Sequence, residues 1–274
     1  MAEVIGGFCA SHAPGQIVRR TLGGDAADRF MAAQQAAAGK LRALEPDVVV
    51  ICSGEHFTNF QPDLFPQATI GTGPAHMGPA ERWMNMPMSA FPGHPNFARH
   101  LADRLLGTGF DPSTSNALLL DHGMLTTYLP IDSTMTIPLV PIIQNTLVSP
   151  MMPLRRCHEM GVALHAAICS FPEPLRVAVV GAGGLSHWIG TPRDGVIDEQ
   201  FDRWFLERIA GDDMSDLLDL PDSELDHAGT GAHEVRSWIT AVGALGALPR
   251  RVTVYEPIGA WLTGMSVMEC GLAT

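Results

Sequence analysis

The sequence predicts an α/β protein: a single three-layer domain over residues 1–274, with a central, mostly parallel sheet covered by helices. Three observations point there. The apolar runs Val48-Val49-Val50-Ile51 and Val177-Ala178-Val179-Val180 show no polar alternation, as strands buried on both faces do. Helix-forming segments alternate with such runs along the chain, the order that builds βαβ units. The 274 residues, 46% hydrophobic and 17% charged, suffice for one large core, with no linker, fixed-period repeat or low-complexity tract to divide it.

Val4 to Ser11 reads as the first strand. Asp25 to Leu44 is Ala-rich and predicts a helix, entered after Gly23-Gly24 and stopped by Pro46. Asp47 to Ser53 is the second strand. Residues 57–93 are dense in Pro, Gly and Met, and are expected to form a long loop-rich substrate wall. Pro95 to Leu106 predicts a helix, with Phe97, Leu101 and Leu105 four residues apart on one face. Asn116 to Leu120 leads into Asp121-His122-Gly123. Leu139 to Gln144 is a buried strand, Leu154 to Phe171 a helix and Arg176 to Gly181 a further strand. An amphipathic helix (Asp198 to Ala210), an acidic connection (Asp212 to Asp226) and a helix (His233 to Leu248) follow. Val252 to Tyr255 reads as the last strand, before a Gly- and Met-rich tail.

Three of the strand runs are followed by a histidine. His12, His56 and His187 come directly after Val4–Ser11, Val48–Glu55 and Val177–Ser186. One histidine after a strand is most often a hydrogen-bonded turn residue. Three in the same topological position point to a site, because open parallel sheets bind ligands beyond the carboxyl ends of their strands. His122 and Glu234 join the candidates. Glu234 follows Gly229-Thr230-Gly231-Ala232, small residues that let backbone approach a site closely, and falls in the first turn of a helix, where a carboxylate is stabilised. Two histidines and one carboxylate, with the remaining positions open, are the donor set of non-haem Fe(II) oxygenases. His227 and His233 flank the glycine segment as candidates for a supporting role. The remaining histidines fit no ligand spacing.

Charge and cysteines exclude other classes. The net charge of −12 argues against nucleic acid and anionic membranes as partners. The five cysteines form no C-x-x-C pair, so neither a disulfide framework nor a zinc ribbon is indicated. The chain enters its first strand directly, without a signal-peptide pattern or a long apolar stretch, and a cytoplasmic location is expected. Gly181-Ala182-Gly183-Gly184 fails as a dinucleotide fingerprint, since Ser186 replaces the third glycine. G-x-S-x-G and H-E-x-x-H do not occur.

Five segments taken in order carry a resemblance. Phe8-Cys9-Ala10-Ser11-His12-Ala13-Pro14, Glu55-His56-Phe57-Thr58-Asn59-Phe60, Asp121-His122-Gly123, Gly183-Gly184-Leu185-Ser186-His187 and Gly231-Ala232-His233-Glu234 resemble the landmarks of the class III (LigB-type) extradiol ring-cleavage dioxygenases. The similarity runs over nearly the whole chain, into Trp261-Leu262-Thr263-Gly264. It implies a LigB-like fold and Fe(II) held by His12, His56 and Glu234. It implies that His187 is the acid–base group and His122 a further active-site histidine. The implied reaction is meta cleavage of a small catecholic aromatic acid by O2, giving a muconic semialdehyde-type product. The implied assembly is a homo-oligomer. The chain lacks the small α-type subunit fused in some relatives, which leaves open a separate lid-forming partner. Two other readings stay open on the residues alone: a zinc-dependent hydrolase or amidase on the same ligands, and a non-catalytic binding protein of the same fold.

Overall fold

In the computed structural model, which describes residues 1–273, the chain forms ten strands. They are β1 (Glu3–Ala10), β2 (Val48–Gly54), β3 (Ala68–Gly71), β4 (Ala75–Gly78), β5 (Ser89–Pro92), β6 (Ser113–Ser115), β7 (Leu139–Gln144), β8 (Arg176–Ala182), β9 (Arg250–Ile258) and β10 (Thr263–Cys270). Eight line up in the order β6-β3-β7-β2-β8-β1-β10-β9, while β4 and β5 form a separate antiparallel hairpin. The four central strands β7, β2, β8 and β1 are mutually parallel. Antiparallel pairing begins at the edges, where β3 meets β7 and β10 meets β1.

Among the described residues nine helices connect the strands: α1 (Gly15–Val18), α2 (Gly24–Ala43), α3 (Pro95–Leu106), α4 (His122–Ile131), α5 (Leu154–Cys169), α6 (Glu199–Ala210), α7 (Ser215–Leu218), α8 (Asp222–Ala228) and α9 (Val235–Leu245). α5 and α9 cover one face of the central strands, and α2 and α4 the other. The absence of alternation in the strand runs follows from this. Val48, Val50, Val177 and Val179 belong to the core under α5 and α9, whereas Val49, Ile51, Ala178 and Val180 belong to the core under α2 and α4. Each fully buried Val or Ile contributes on the order of 1.5–3 kcal/mol relative to exposure. Both faces of the sheet are therefore stabilised.

The structure departs from expectation in four places. The Gly- and Met-rich tail is β10, buried along its length and paired between β1 and the edge strand β9. It has no polar alternation and few β-branched residues, so neither periodicity nor propensity marks it. Residues 57–93 are not continuous loop: they contribute β3 to the main sheet and the β4–β5 hairpin. The acidic connection contains α7 and α8. His122 opens a helix, α4, capped by Asp121 through Met124 N. No described helix is long and apolar enough to cross a membrane.

Candidate active site and metal centre

His12 and His56 each stand two residues past the end of their strand, β1 and β2. Both strands flank β8, so the two imidazoles converge over its carboxyl end from either side. The turn after β2 is shaped by the buried carboxylate of Glu55, which accepts hydrogen bonds from the backbone N–H groups of Thr58, Asn59 and Phe60. β8 itself continues into Gly183–Ser186 and His187. Glu234 lies in a one-turn 3-10 segment (Ala232–Glu234) that leads into α9, and the Gly184 N–H donates to its carboxylate.

Donor atoms of His12, His56 and Glu234 form a small triangle. His12 Nε2 lies 3.2 Å from His56 Nε2, His12 Nε2 lies 3.3 Å from Glu234 Oε2, and His56 Nε2 lies 3.3 Å from Glu234 Oε1. Ligands bound to one ion at about 2.0–2.2 Å sit roughly 3.0–3.5 Å apart, so this spacing fits a shared cation. His122 is close by, with ring centroids 5.3 Å from His12 and 4.6 Å from His56. The ligand atoms of His12, His56 and His122 all fall within 4.8 Å of one another, and these three residues could also hold a metal ion. His187 Nε2 approaches Glu234 Oε1 at 3.8 Å.

Three of the four imidazoles are fixed by the second nitrogen. His56 Nδ1 donates to Asp121 Oδ2 at 2.8 Å, the carboxylate–histidine arrangement that orients metal ligands. His122 Nδ1 lies 2.6 Å from Glu81 Oε1, and the His122 backbone N–H donates to Glu81 Oε2 at 3.0 Å. His187 Nδ1 donates to the Leu185 carbonyl at 2.8 Å. His122 and His187 are thereby left with Nε2 for the cavity, a tautomer choice set by the partner of Nδ1.

Burial and charge set the protonation states. Burial lowers His12 to about 3, against the pull of Glu234. His12 thus faces the centre as a neutral donor. Burial opposes charge on His56 too, but Asp121 and Glu234 outweigh it and hold His56 well above the usual range. Burial would raise Glu234, yet His12, His56 and His187 keep its carboxyl well below the ordinary value. Asp121 falls to about 2 against burial, because His56, His122 and His12 surround it. Anionic Glu234 amid imidazole nitrogens is a donor set suited to a divalent cation.

Glycines clear the room for these rings. A Cβ at Gly231 would sit 1.9 Å from His187 Nε2, and one at Gly123 would sit 2.8 Å from His56 Cε1. Above the cluster opens a cavity of about 490 Å³, walled by Phe57, Leu147, Trp188, Ile189, Trp261 and Leu262. That is the size and apolar character of a small-molecule site.

His12, His56, His122, His187 and Glu234 all line this one cavity. From residues 57–93, Phe57 reaches the wall, and Trp83 packs on His122 at 5.2 Å between ring centroids. His227 is exposed, and His233 is buried in hydrogen bonds to Asp226 and Arg236. Sequence reasoning missed Glu81 and Trp188. Glu81 lies in the loop-rich stretch 41 residues before its partner, where no spacing signals it.

A buried cluster of two histidines and a carboxylate, beyond the carboxyl ends of parallel strands and under an apolar cavity, defines an α/β enzyme with a metal-competent centre. The chain belongs to the LigB family, described as the catalytic LigB subunit of aromatic ring-opening dioxygenase, which matches residues 6–266. It is a ring-cleaving oxidoreductase. Among its relatives is 2,3-dihydroxyphenylpropionate/2,3-dihydroxicinnamic acid 1,2-dioxygenase of Cupriavidus necator, 25% identical over 86% of this chain and 88% of that protein. The enzyme of the same name from Mycobacterium ulcerans is 27% identical over 89% of this chain and 91% of that one. Gallate dioxygenase of Pseudomonas putida is 34% identical over 57% of this chain and 46% of its own length. A crystal structure of an uncharacterized Escherichia coli K12 protein shares the fold, with a TM-score of 0.61 over 97% of this chain and 100% of that chain at 16% identity.

Proposed function

We propose that the chain is an Fe(II)-dependent extradiol dioxygenase that opens the ring of a catecholic aromatic acid next to its vicinal diol. Both atoms of O2 enter a muconic semialdehyde-type product. The observation that carries this reading is the triangle of His12, His56 and Glu234 with its 3.2–3.3 Å edges, flanked by two imidazoles each offering Nε2. The relatives' names support the substrate class, since those substrates are aromatic acids bearing neighbouring hydroxyls.

His12, His56 and Glu234 would hold the metal, and bound Fe(II) supplies a Lewis acid for the diol oxygens and the redox chemistry that makes O2 reactive toward the ring. The chain's own residues do the rest. His187 Nε2 takes the proton of the second hydroxyl and returns it as the O–O bond breaks, a task suited to an imidazole. His122, backed by the Glu81 carboxylate at Nδ1, presents Nε2 for a hydrogen bond with substrate or oxygen. Trp188, Ile189 and Trp261 hold the ring and exclude water.

The test is metal content, catechol affinity and O2 uptake on the same preparations of four variants. His12→Ala, His56→Ala and Glu234→Gln should lose both iron and turnover. His187→Gln should keep iron and substrate binding while turnover falls by roughly 10²–10⁴-fold. Near-normal iron and turnover in Glu234→Gln would sink the ligand assignment. Hydrolysis supported by zinc, with no O2 uptake from any catechol, would overturn the reaction.

A further inference from the structure

Ser186 is fully buried and has every polar group engaged. Its N–H donates to Asp202 Oδ1 at 2.7 Å, its Oγ accepts from Asp198 N at 2.8 Å, and its carbonyl accepts from Gly264 N at 3.3 Å. Asp202, on α6, is itself fully buried, and its other oxygen accepts the Tyr255 hydroxyl of β9 at 2.8 Å. Gly264 is packed so tightly here that a Cβ would lie 2.0 Å from Asp202 Oδ2. A buried carboxyl without a cationic partner costs stability, so its retention calls for a reason.

The covalent structure supplies one. The Ser186 N–H and the Leu185 C=O belong to the same planar peptide unit. That carbonyl is the acceptor for His187 Nδ1–H at 2.8 Å. The chain of contacts runs from the Asp202 carboxyl through the Leu185–Ser186 peptide to the His187 ring, ending at Nε2 in the cavity. Fixing one end of a rigid peptide fixes the direction of the other, and hydrogen bonds in series polarise one another. The His187 carbonyl is held as well, by the Gly231 N–H at 3.0 Å.

We infer that Asp202, held by Tyr255, is a positioning residue that sets the tautomer and aim of the His187 ring through the Leu185–Ser186 peptide. This does for His187, across one peptide, what Asp121 does for His56 and Glu81 for His122 by direct contact. The inference rests on the reading of His187 as the acid–base group.

Three variants and one double variant test it. Asp202→Ala should keep its iron and its KM within about threefold while kcat falls by about tenfold or more, the usual consequence of a misplaced catalytic group. Asp202→Asn should recover most of that loss, because an amide can accept from Ser186 N–H and donate to the Tyr255 oxygen. Tyr255→Phe, which keeps the carboxyl and removes one partner, should give a smaller loss of the same kind and carries the test should Asp202→Ala not fold. In metal-free protein labelled with ¹⁵N-histidine, the Nδ1–H proton of His187 should exchange slowly in the wild type and in Asp202→Asn. It should exchange much faster in Asp202→Ala, or, should that variant not fold, in Tyr255→Phe. In a His187→Gln background, Asp202→Ala should cost nothing further, since the two changes act on one group. Additive losses in the double variant, loss of iron with Asp202→Ala, or unchanged kcat and proton exchange would overturn the inference. Normal turnover in His187→Gln alone would instead overturn the reading of His187.

Discussion

Glu81 meets His122 twice, at the ring and at the backbone, and so fixes both the tautomer of the imidazole and the start of α4. Replacing it with Ala would leave two buried donors without a partner. Replacing it with Gln keeps an acceptor and removes the charge. We expect Glu81→Gln to lower kcat by roughly 10-fold and Glu81→Ala by nearer 100-fold, the range seen for groups that orient an active-site histidine. Iron content should stay at the wild-type level in both. O2-uptake kinetics beside metal analysis checks this, and loss of iron from Glu81→Gln would place His122 among the ligands instead. The contrast between His122 and Glu81 also marks what one sequence can disclose. His12, His56 and His187 are legible because each follows an apolar run, and strand ends share a location in space. Glu81 follows no such run. It reaches the site through a Pro- and Gly-rich path whose course depends on tertiary packing.

At the scale of elements, the contact between α6, β9 and the β8 loop carries a pH dependence. Burial lifts Asp202 from an ordinary carboxyl value of 3.8 to about 7, with the hydrogen bonds from Ser186 and Tyr255 only partly opposing it and Asp198 adding to the rise. A folded-state value above the unfolded one means that this group favours folding fully below its unfolded value, and that the benefit is lost as pH rises through about 7. Asp202→Asn does not titrate. Its Tm should therefore gain on the wild type between about pH 4 and pH 7 and hold that gain above. Parallel Tm profiles would show that the carboxyl ionises freely in the fold. Elements also divide by how well they were legible. The helix Pro95–Leu106 has its apolar residues four apart and a proline at its start, and the structure reproduces its bounds. β10 was not legible, because Gly264, Met265, Ser266 and Met268 have little strand propensity. Its place is fixed by pairing with β1 and β9 instead. The short strands β3, β4 and β5 lie among prolines and glycines that mask them.

The molecule as a whole exposes apolar side chains around the segment that precedes the β4–β5 hairpin and within it: Phe57 is 45% exposed, Leu64 71% and Met88 55%. Exposed apolar side chains can be covered by a second copy of the chain, and we expect a homo-oligomer. Light scattering checks it, and a mass of 29.4 kDa at all concentrations would refute it. The strand order has a consequence for biosynthesis. β1 is made first, yet both its neighbours, β8 and β10, lie beyond residue 175. Until β8 emerges, β1 has no partner on either edge, and His56 awaits a carboxylate 178 residues downstream. On the proposed reading, the iron ligands are complete only once Glu234 has been made. A transcript cut short before β10 would yield a polypeptide carrying all five site residues but lacking one of the two neighbours of β1.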